Sequence, residues 1–277
     1  MRIRMLVSML ALILLFGVFA TPSAAITGGQ PDGEGHPYVA LLLAPGETFC
    51  SGTLIAPQTI LTAGHCTDYW STLGLESIMV SFDPQASVDE EWMPDGGTWY
   101  TASTWLTHPE YVDEEWPFTF DYGLLYLDEP VDIEPADLPA PNALQPIIDG
   151  NGQTAQRFED VGYGIQGTIV GNGPPRRAIT WERKIATQRY IPGQGATTGL
   201  FDPLWFILNN APSPQHGGGC GGDSGSPILL ADTDTIVAVH TGGYRLGYNG
   251  VLCGRLTSLN HRIDVPVVLN WITANMK

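Results

Sequence analysis

Three short segments of this 277-residue chain hold the residue types that turn a serine into a nucleophile. Residues 220–227 read Cys-Gly-Gly-Asp-Ser-Gly-Ser-Pro, residues 61–66 read Leu-Thr-Ala-Gly-His-Cys, and Asp121 lies between them. A serine hydroxyl attacks poorly near neutral pH unless a base takes its proton and polar donors receive the oxyanion. His65 is a base of the right type, and Asp121 is a carboxylate able to hold its tautomer and stabilise its charged form. Gly222 and Gly225 flank Ser224 closely enough for a sharp turn that crowds backbone N–H groups around the hydroxyl. Of six histidines, only His65 follows an apolar run and precedes a cysteine; His36, His216 and His261 lie in polar or turn-rich surroundings.

These segments resemble the signatures of the trypsin/chymotrypsin family of serine endopeptidases (peptidase family S1), whose chain order is also His, Asp, Ser. The likeness extends along the chain. Ile26-Thr27-Gly28-Gly29 resembles the family's mature amino terminus, and His108-Pro109-Glu110-Tyr111 its His-Pro-x-Tyr segment, which makes His108 structural. Asp121 opens Asp-Tyr-Gly-Leu-Leu-Tyr-Leu, Gly162-Tyr163-Gly164 stands for the usual Gly-Trp-Gly, and Asn270-Trp271-Ile272 resembles the closing helix. The resemblance implies a triad of His65, Asp121 and Ser224, with the N–H groups of Gly222 and Ser224 as the oxyanion hole. It also implies an activation pair, in which a freed amino group at Ile26 inserts against Asp223. The chain departs from the pattern at Ser226, usually glycine, and in a long interval from His65 to Asp121. Residues 83–99 are expected to be the inserted loop.

Four cysteines allow three pairings on the residues alone. The resemblance selects Cys50–Cys66 beside the histidine and Cys220–Cys253 beside the serine. For the substrate pocket it points to Gly218, six residues before the serine, where trypsin-like members carry aspartate. Without that carboxylate, a buried Lys or Arg side chain lacks a counter-charge. Thr241, Gly242 and Gly243 resemble the strand edge that pairs with the substrate backbone, and Gly254 a pocket wall. An open pocket favours a large apolar residue. His240, however, resembles the pocket histidine of glutamate-specific members, with Arg255 nearby, and makes an acidic preference the second reading.

The elements that must position these residues are short. Tyr38–Leu43, Thr53–Ala56, Ile78–Phe82, Gly123–Leu127, Pro227–Leu230 and Ile236–Val239 are apolar runs of strand length, separated by many of the 33 glycines and 22 prolines. Only residues 264–274 read as helix, with Pro266 in the first turn and Val267, Val268, Trp271 and Ile272 on one face. The fold class is therefore all-β. The resemblance implies two antiparallel six-stranded barrels, spanning about 26–140 and 141–262, with a C-terminal helix. The proline cluster Pro135, Pro139, Pro141 and Pro146 is expected at the crossover.

Arg2 and Arg4, an apolar stretch from Met5 to about Ala20 and small residues to Ala25 describe a secretory signal peptide over residues 1–25. The stretch falls short of the roughly 20 apolar residues needed to span a bilayer. The expected product is secreted, and Ile26 is its first residue. With 29 acidic against 12 basic residues, a net charge of −17 disfavours nucleic acid and anionic membranes as partners. The acidic runs 89–91 and 113–115 lack calcium-loop spacing and read as solvated surface. An acyl-enzyme mechanism needs no metal and no organic cofactor, and the expected partner of this monomer is a polypeptide substrate. The rival readings are an inactive homologue used as a binding module and an α/β-hydrolase esterase. The former would usually lack a triad member; the latter needs the order Ser, Asp, His and alternating helices.

Overall fold

Val-Ala-Leu-Leu-Leu-Ala at 39–44 is buried at every position, the mark of a strand covered on both faces. The computed structural model describes residue 26 and residues 28–115, 119–150, 156–168, 176–192, 203–209, 217–244 and 257–277. After the two-residue β1 (Gln30–Pro31) come β2 (Val39–Ala44), β3 (Thr48–Ala56), β4 (Thr59–Thr62), β5 (Ile78–Ser81), β6 (Tyr100–Ala102), β7 (Thr104–Thr107) and β8 (Gly123–Tyr126). Strands β2 to β8 form an antiparallel sheet in the order β6-β5-β2-β3-β4-β8-β7. Only Ser103 separates β6 from β7, so one run of chain joins both edges and closes the sheet on itself.

The second half follows the same plan. Its strands are β9 (Phe158–Gly162), β10 (Gln166–Thr168), β11 (Arg176–Ala178), β12 (Lys184–Gln188), β13 (Trp205–Leu208), β14 (Pro227–Leu230), β15 (Ile236–Tyr244) and β16 (Thr257–Arg262). The order is β1-β12-β9-β14-β15-β16-β13, with β10 and β11 as a separate ribbon. A bridge from Tyr190, just beyond β12, to Leu208 on β13 brings the edges of this sheet together. Each sheet thus counts seven strands where six were expected. In the first, the strand bent at Ser103 is counted twice; in the second, the amino-terminal β1 adds itself to the edge. One apolar cluster runs through both sheets and the C-terminal helix, from Val39 and Leu61 to Val239, Leu259 and Ile272.

The helices correct the sequence reading in two places. Besides the C-terminal helix, there are helices at α1 (Gly64–Thr72) and α2 (Gln145–Asp149). The segment of α1 is Gly-His-Cys-Thr-Asp-Tyr-Trp-Ser-Thr, poor in strong helix formers, and its N-cap Ala63 makes no side-chain cap. Tertiary contacts hold it: Trp70 is fully buried, Thr67 Oγ1 lies 2.8 Å from Thr107 Oγ1, and Trp105 Nε1 donates to Ser71 Oγ. In α3 (Pro266–Asn275) the buried face is Val268, Leu269 and Ile272, whereas Val267 is 54% exposed. Leu269 replaces Val267 because the helix turns its Val268 side toward the core, one position round from the expected stripe. Among the described residues no helix is long and apolar enough to cross a membrane.

A buried guanidinium ties the two halves together. Arg183, with no exposed surface, donates from Nε to Asp32 Oδ2 at 2.8 Å, from Nη2 to Gly33 O at 2.7 Å and from Nη1 to Phe82 O at 2.9 Å. It thereby joins the chain entering β12 to the amino-terminal segment and to the end of β5.

Candidate active site

The first turn of α1 carries His65 to the strand that follows Asp121. Gly64 permits the approach, since a methyl group on it would lie 2.9 Å from Tyr122 N. The His65 backbone N–H donates to Asp121 Oδ1 at 2.7 Å, and its Nδ1 lies 2.9 Å from Oδ2 and 3.1 Å from Oδ1. Asp121 is fully buried, while the His65 side chain is 28% exposed. Burial disfavours the imidazolium, but the charge and hydrogen bond of Asp121 outweigh it, with Asp113 adding to them, and the His65 pKa is raised. Burial likewise opposes ionisation of Asp121, yet His65 and the nearby His261 hold its pKa below the ordinary value. With Nδ1–H directed at the carboxylate, Nε2 is left as the proton acceptor.

The Ser224 turn comes from the second sheet and lies against β3 and the first turn of α1. Ser51 N–H donates to Ser224 O at 2.8 Å, and Cys66 Sγ lies 4.0 Å from the same oxygen. Gly225 N–H donates to His240 O at 2.8 Å, and His240 N–H to Ser226 O at 2.9 Å. Ser51 Oγ adds a bond to Gly222 O at 3.0 Å and accepts one from Tyr163 N–H at 3.1 Å. Among the described residues no hydrogen bond joins Ser224 Oγ to His65; such bonds are often long without substrate. The N–H groups of Gly222 and Ser224 donate to none of these partners.

Gly222 has φ +91°, and a methyl group on it would lie 2.1 Å from Phe49 Cε2. Phe49 is itself wedged by Trp92 and Trp181, with ring centroids 5.6 and 5.0 Å away. Trp92 comes from the 83–99 segment, which is largely irregular between β5 and β6. The 83–99 segment therefore packs, through Trp92 and Phe49, against the Ser224 turn. Its acidic run folds on itself, with Asp89 Oδ1 accepting from the N–H groups of Glu91 and Met93.

Asp223 is fully buried and accepts from Gly164 N–H at 2.7 Å and Cys220 N–H at 2.8 Å. Burial and the neighbouring Asp160 carboxylate raise its pKa well above the ordinary value. Ile26 is also fully buried, at φ +34°, and its carbonyl accepts from Gly29 N–H. Residue 25 precedes it in this chain, so its nitrogen is an amide rather than an ammonium.

Cys50 and Cys66 are disulfide-bonded. Cys220 is disulfide-bonded too, and its expected partner Cys253 lies outside the described residues. His65 and the sulfurs of Cys50 and Cys66 lie within 4.8 Å of one another, but bonded sulfurs offer no thiolate to a metal. His108 is buried and stacked on Phe120 at 4.7 Å, where burial lowers its pKa.

In the pocket region, Gly218 is buried and Gly254 lies outside the described residues. Strand β15 bulges between His240 and Gly242, and β14 pairs with it only as far as Val239. Thr241, Gly242 and Gly243 therefore stand beyond the β14 pairing. Thr241 Oγ1 is 2.9 Å from His261 Nδ1. His240 is almost fully buried, its Nδ1 lying 3.1 Å from Asn260 Oδ1, 3.2 Å from Ser258 Oγ and 3.8 Å from Asp160 Oδ2. Ser51, Asp160, Ser258 and Asn260 escape sequence reading because polar residues in a strand ordinarily signal its solvent face. The one clue was Ser226, which departs from glycine and donates to Asp160.

Comparison with known proteins places the chain in one family. The family model described as Trypsin matches residues 26–195. The chain is 27% identical to a trypsin of Saccharopolyspora erythraea over 74% of its own length and 82% of that protein's. It is also 27% identical to human kallikrein-4, over 75% of this chain and 72% of the relative. With hypodermin-B of Hypoderma lineatum it shares 26% identity over 94% of this chain and 91% of the other. The solved structure of HL collagenase superposes with a TM-score of 0.64 at 19% identity, covering 91% of this chain and all of that one, a likeness of fold. By motif, fold and family match, the chain belongs to the trypsin family of serine proteases.

Proposed function

We propose that the protein is an active, secreted serine endopeptidase that works through an acyl-enzyme. The observation that carries this reading is the buried Asp121 carboxylate 2.9 Å from His65 Nδ1, beside a glycine-framed Ser224 turn. His65 Nε2 takes the Ser224 proton as the hydroxyl oxygen attacks the peptide carbonyl carbon. The resulting oxyanion accepts from the N–H groups of Gly222 and Ser224. The imidazolium returns its proton to the amine as the C–N bond breaks, and water repeats the sequence on the acyl-serine. Release of residues 1–25 frees an ammonium at Ile26, which pairs with Asp223 and orders the turn. The burial of Asp223 beside the Asp160 carboxylate, which raises its pKa, supports this pairing.

Substrate preference is non-tryptic, with large apolar side chains first, because Gly218 brings no carboxylate to the pocket. An acidic preference is the second reading, supported by the His240 ring, which lies so close that a methyl on Gly219 would be 2.5 Å from its Nε2. The test is a peptidase assay on the secreted chain, whose amino terminus should read Ile-Thr-Gly-Gly. Ser224→Ala should lower kcat by about 10⁴- to 10⁶-fold with folding intact. A positional peptide library should rank Phe, Tyr or Leu, or else Glu, ahead of Arg. Near-normal activity in Ser224→Ala ends the peptidase reading, and a dominant Arg or Lys preference ends the pocket reading.

A further inference from the structure

On β9, Phe158, Asp160 and Gly162 share one face, because strand side chains alternate. That face looks onto the nucleophile turn. A methyl on Gly162 would lie 2.4 Å from Asp223 Oδ1, and two residues earlier the Asp160 carboxylate reaches the same turn. Asp160 has no exposed surface and occupies the centre of the sheet, between Ala186 on β12 and Ile228 on β14. A carboxylate in that setting is costly unless hydrogen bonds or a cation compensate it.

The compensation comes from both sides of the nucleophile. Ser226 Oγ donates to Asp160 Oδ1 at 2.7 Å, and the Gly219 backbone N–H donates to the same carboxylate. Oδ2 has no hydrogen-bond partner among the described residues, and His240 Nδ1 lies 3.8 Å from it. The other carboxylate in this interior, Asp223, takes Cys220 N–H and Gly164 N–H.

We propose that Asp160 is a positioning residue for the nucleophile turn, its carboxylate bracketing Ser224 through Gly219 N–H on one side and Ser226 Oγ on the other. This assignment deepens the peptidase reading and rests on it. Two buried carboxylates then hold the turn at different points: Asp223 at residue 220, Asp160 at residues 219 and 226. Both sets of bonds are present with residues 1–25 still attached, and the Asp223 set is the one that a freed terminal ammonium would join. Each carboxylate also opposes ionisation of the other, and burial raises both pKa values, with His240 acting against the rise at Asp160. The serine at 226 in place of the usual glycine is the sequence trace of this arrangement.

The experiment compares fluorophosphonate labelling rate, kcat and KM among wild type, Asp160→Ala, Asp160→Asn and Ser226→Gly, each normalised to folded protein by thermal unfolding. Asp160→Ala should slow labelling and kcat by about 10- to 100-fold with KM changed by less than about threefold, because a misplaced reacting group costs up to about 10²-fold. Asparagine keeps the acceptor for Gly219 and Ser226, so Asp160→Asn should recover most of the rate. Ser226→Gly removes one hydrogen bond and should cost about three- to tenfold. Labelling of Asp160→Ala within about twofold of wild type overturns the assignment, as does an asparagine variant no faster than alanine. Should the alanine variant fail to fold, an unslowed Ser226→Gly overturns it alone. An unlabelled wild type overturns the peptidase reading and this inference with it.

Discussion

At the scale of single residues, the proposed chemistry turns on how one carboxylate outweighs the burial of one imidazole. Desolvation alone would lower the His65 pKa, but Asp121 at 2.9 Å raises it past its ordinary value. A base must be neutral to accept a proton. Activity therefore falls as pH drops through the raised value, and the acid limb of kcat/KM should centre above about 6.5. Asp121→Asn should move that limb to lower pH and reduce kcat by about 10⁴-fold, as in the prototype of such triads. A limb centred well below that point in the native protein, or unmoved by the substitution, contradicts the coupling. His65, Asp121 and Ser224 were legible in the sequence because each sits in a local motif. Ser51 and Asp160 were not, since nothing local marks a strand serine or aspartate as facing inward.

At the scale of elements, the Ser224 turn shows how a loop borrows rigidity from distant aromatic rings. Gly222 holds φ +91° against Phe49, which Trp92 and Trp181 brace from behind. Gly222→Ala must displace either the ring or the Gly222 peptide, the proposed oxyanion donor. The expected loss in kcat is about 10²- to 10³-fold, comparable to deleting such a donor. Combining it with Phe49→Ala should recover only part, because the positive φ still disfavours a side chain. Full activity in the single variant would falsify this account of the turn. Strands were readable from their apolar runs, and β2, β5, β8 and β14 stand within a residue of expectation. Helix α1 was not, because its stability comes from Trp70 burial and contacts to β7 and β8 rather than from propensity.

At the scale of the whole molecule, Arg183 fastens the amino-terminal segment to both sheets. The side chain of its partner Asp32 is only 2% exposed; burial raises the Asp32 pKa, but His36 and the guanidinium more than reverse this and lower it. Removing one member of a buried pair strands the other. Arg183→Met should therefore cost about 3–5 kcal/mol in urea unfolding. A depressed carboxylate pKa contributes stability above its unfolded value of about 3.9 and loses it as pH falls through the folded value. The native protein should thus weaken in that acid range, and the Met variant less steeply. A loss below about 1 kcal/mol contradicts a connecting role for Arg183.

Sequence alone determined the all-β class, the His65, Asp121 and Ser224 motifs, the cysteine bracketing of His65 and the absence of a carboxylate at Gly218. These are readable because each is carried by neighbours in the chain: a turn by its glycines, a strand by its run of apolar side chains. Only the tertiary structure decided that β1 joins the second sheet, that the 83–99 loop packs behind the Ser224 turn through Trp92, and that the Asp160 carboxylate is buried beside Asp223 in that turn. Such relations depend on which strand faces pack together across more than 60 residues of chain, as Asp160 and Ser226 do, 66 apart. The energy of burying a charge is set by those distant neighbours, and a linear pattern carries no record of them.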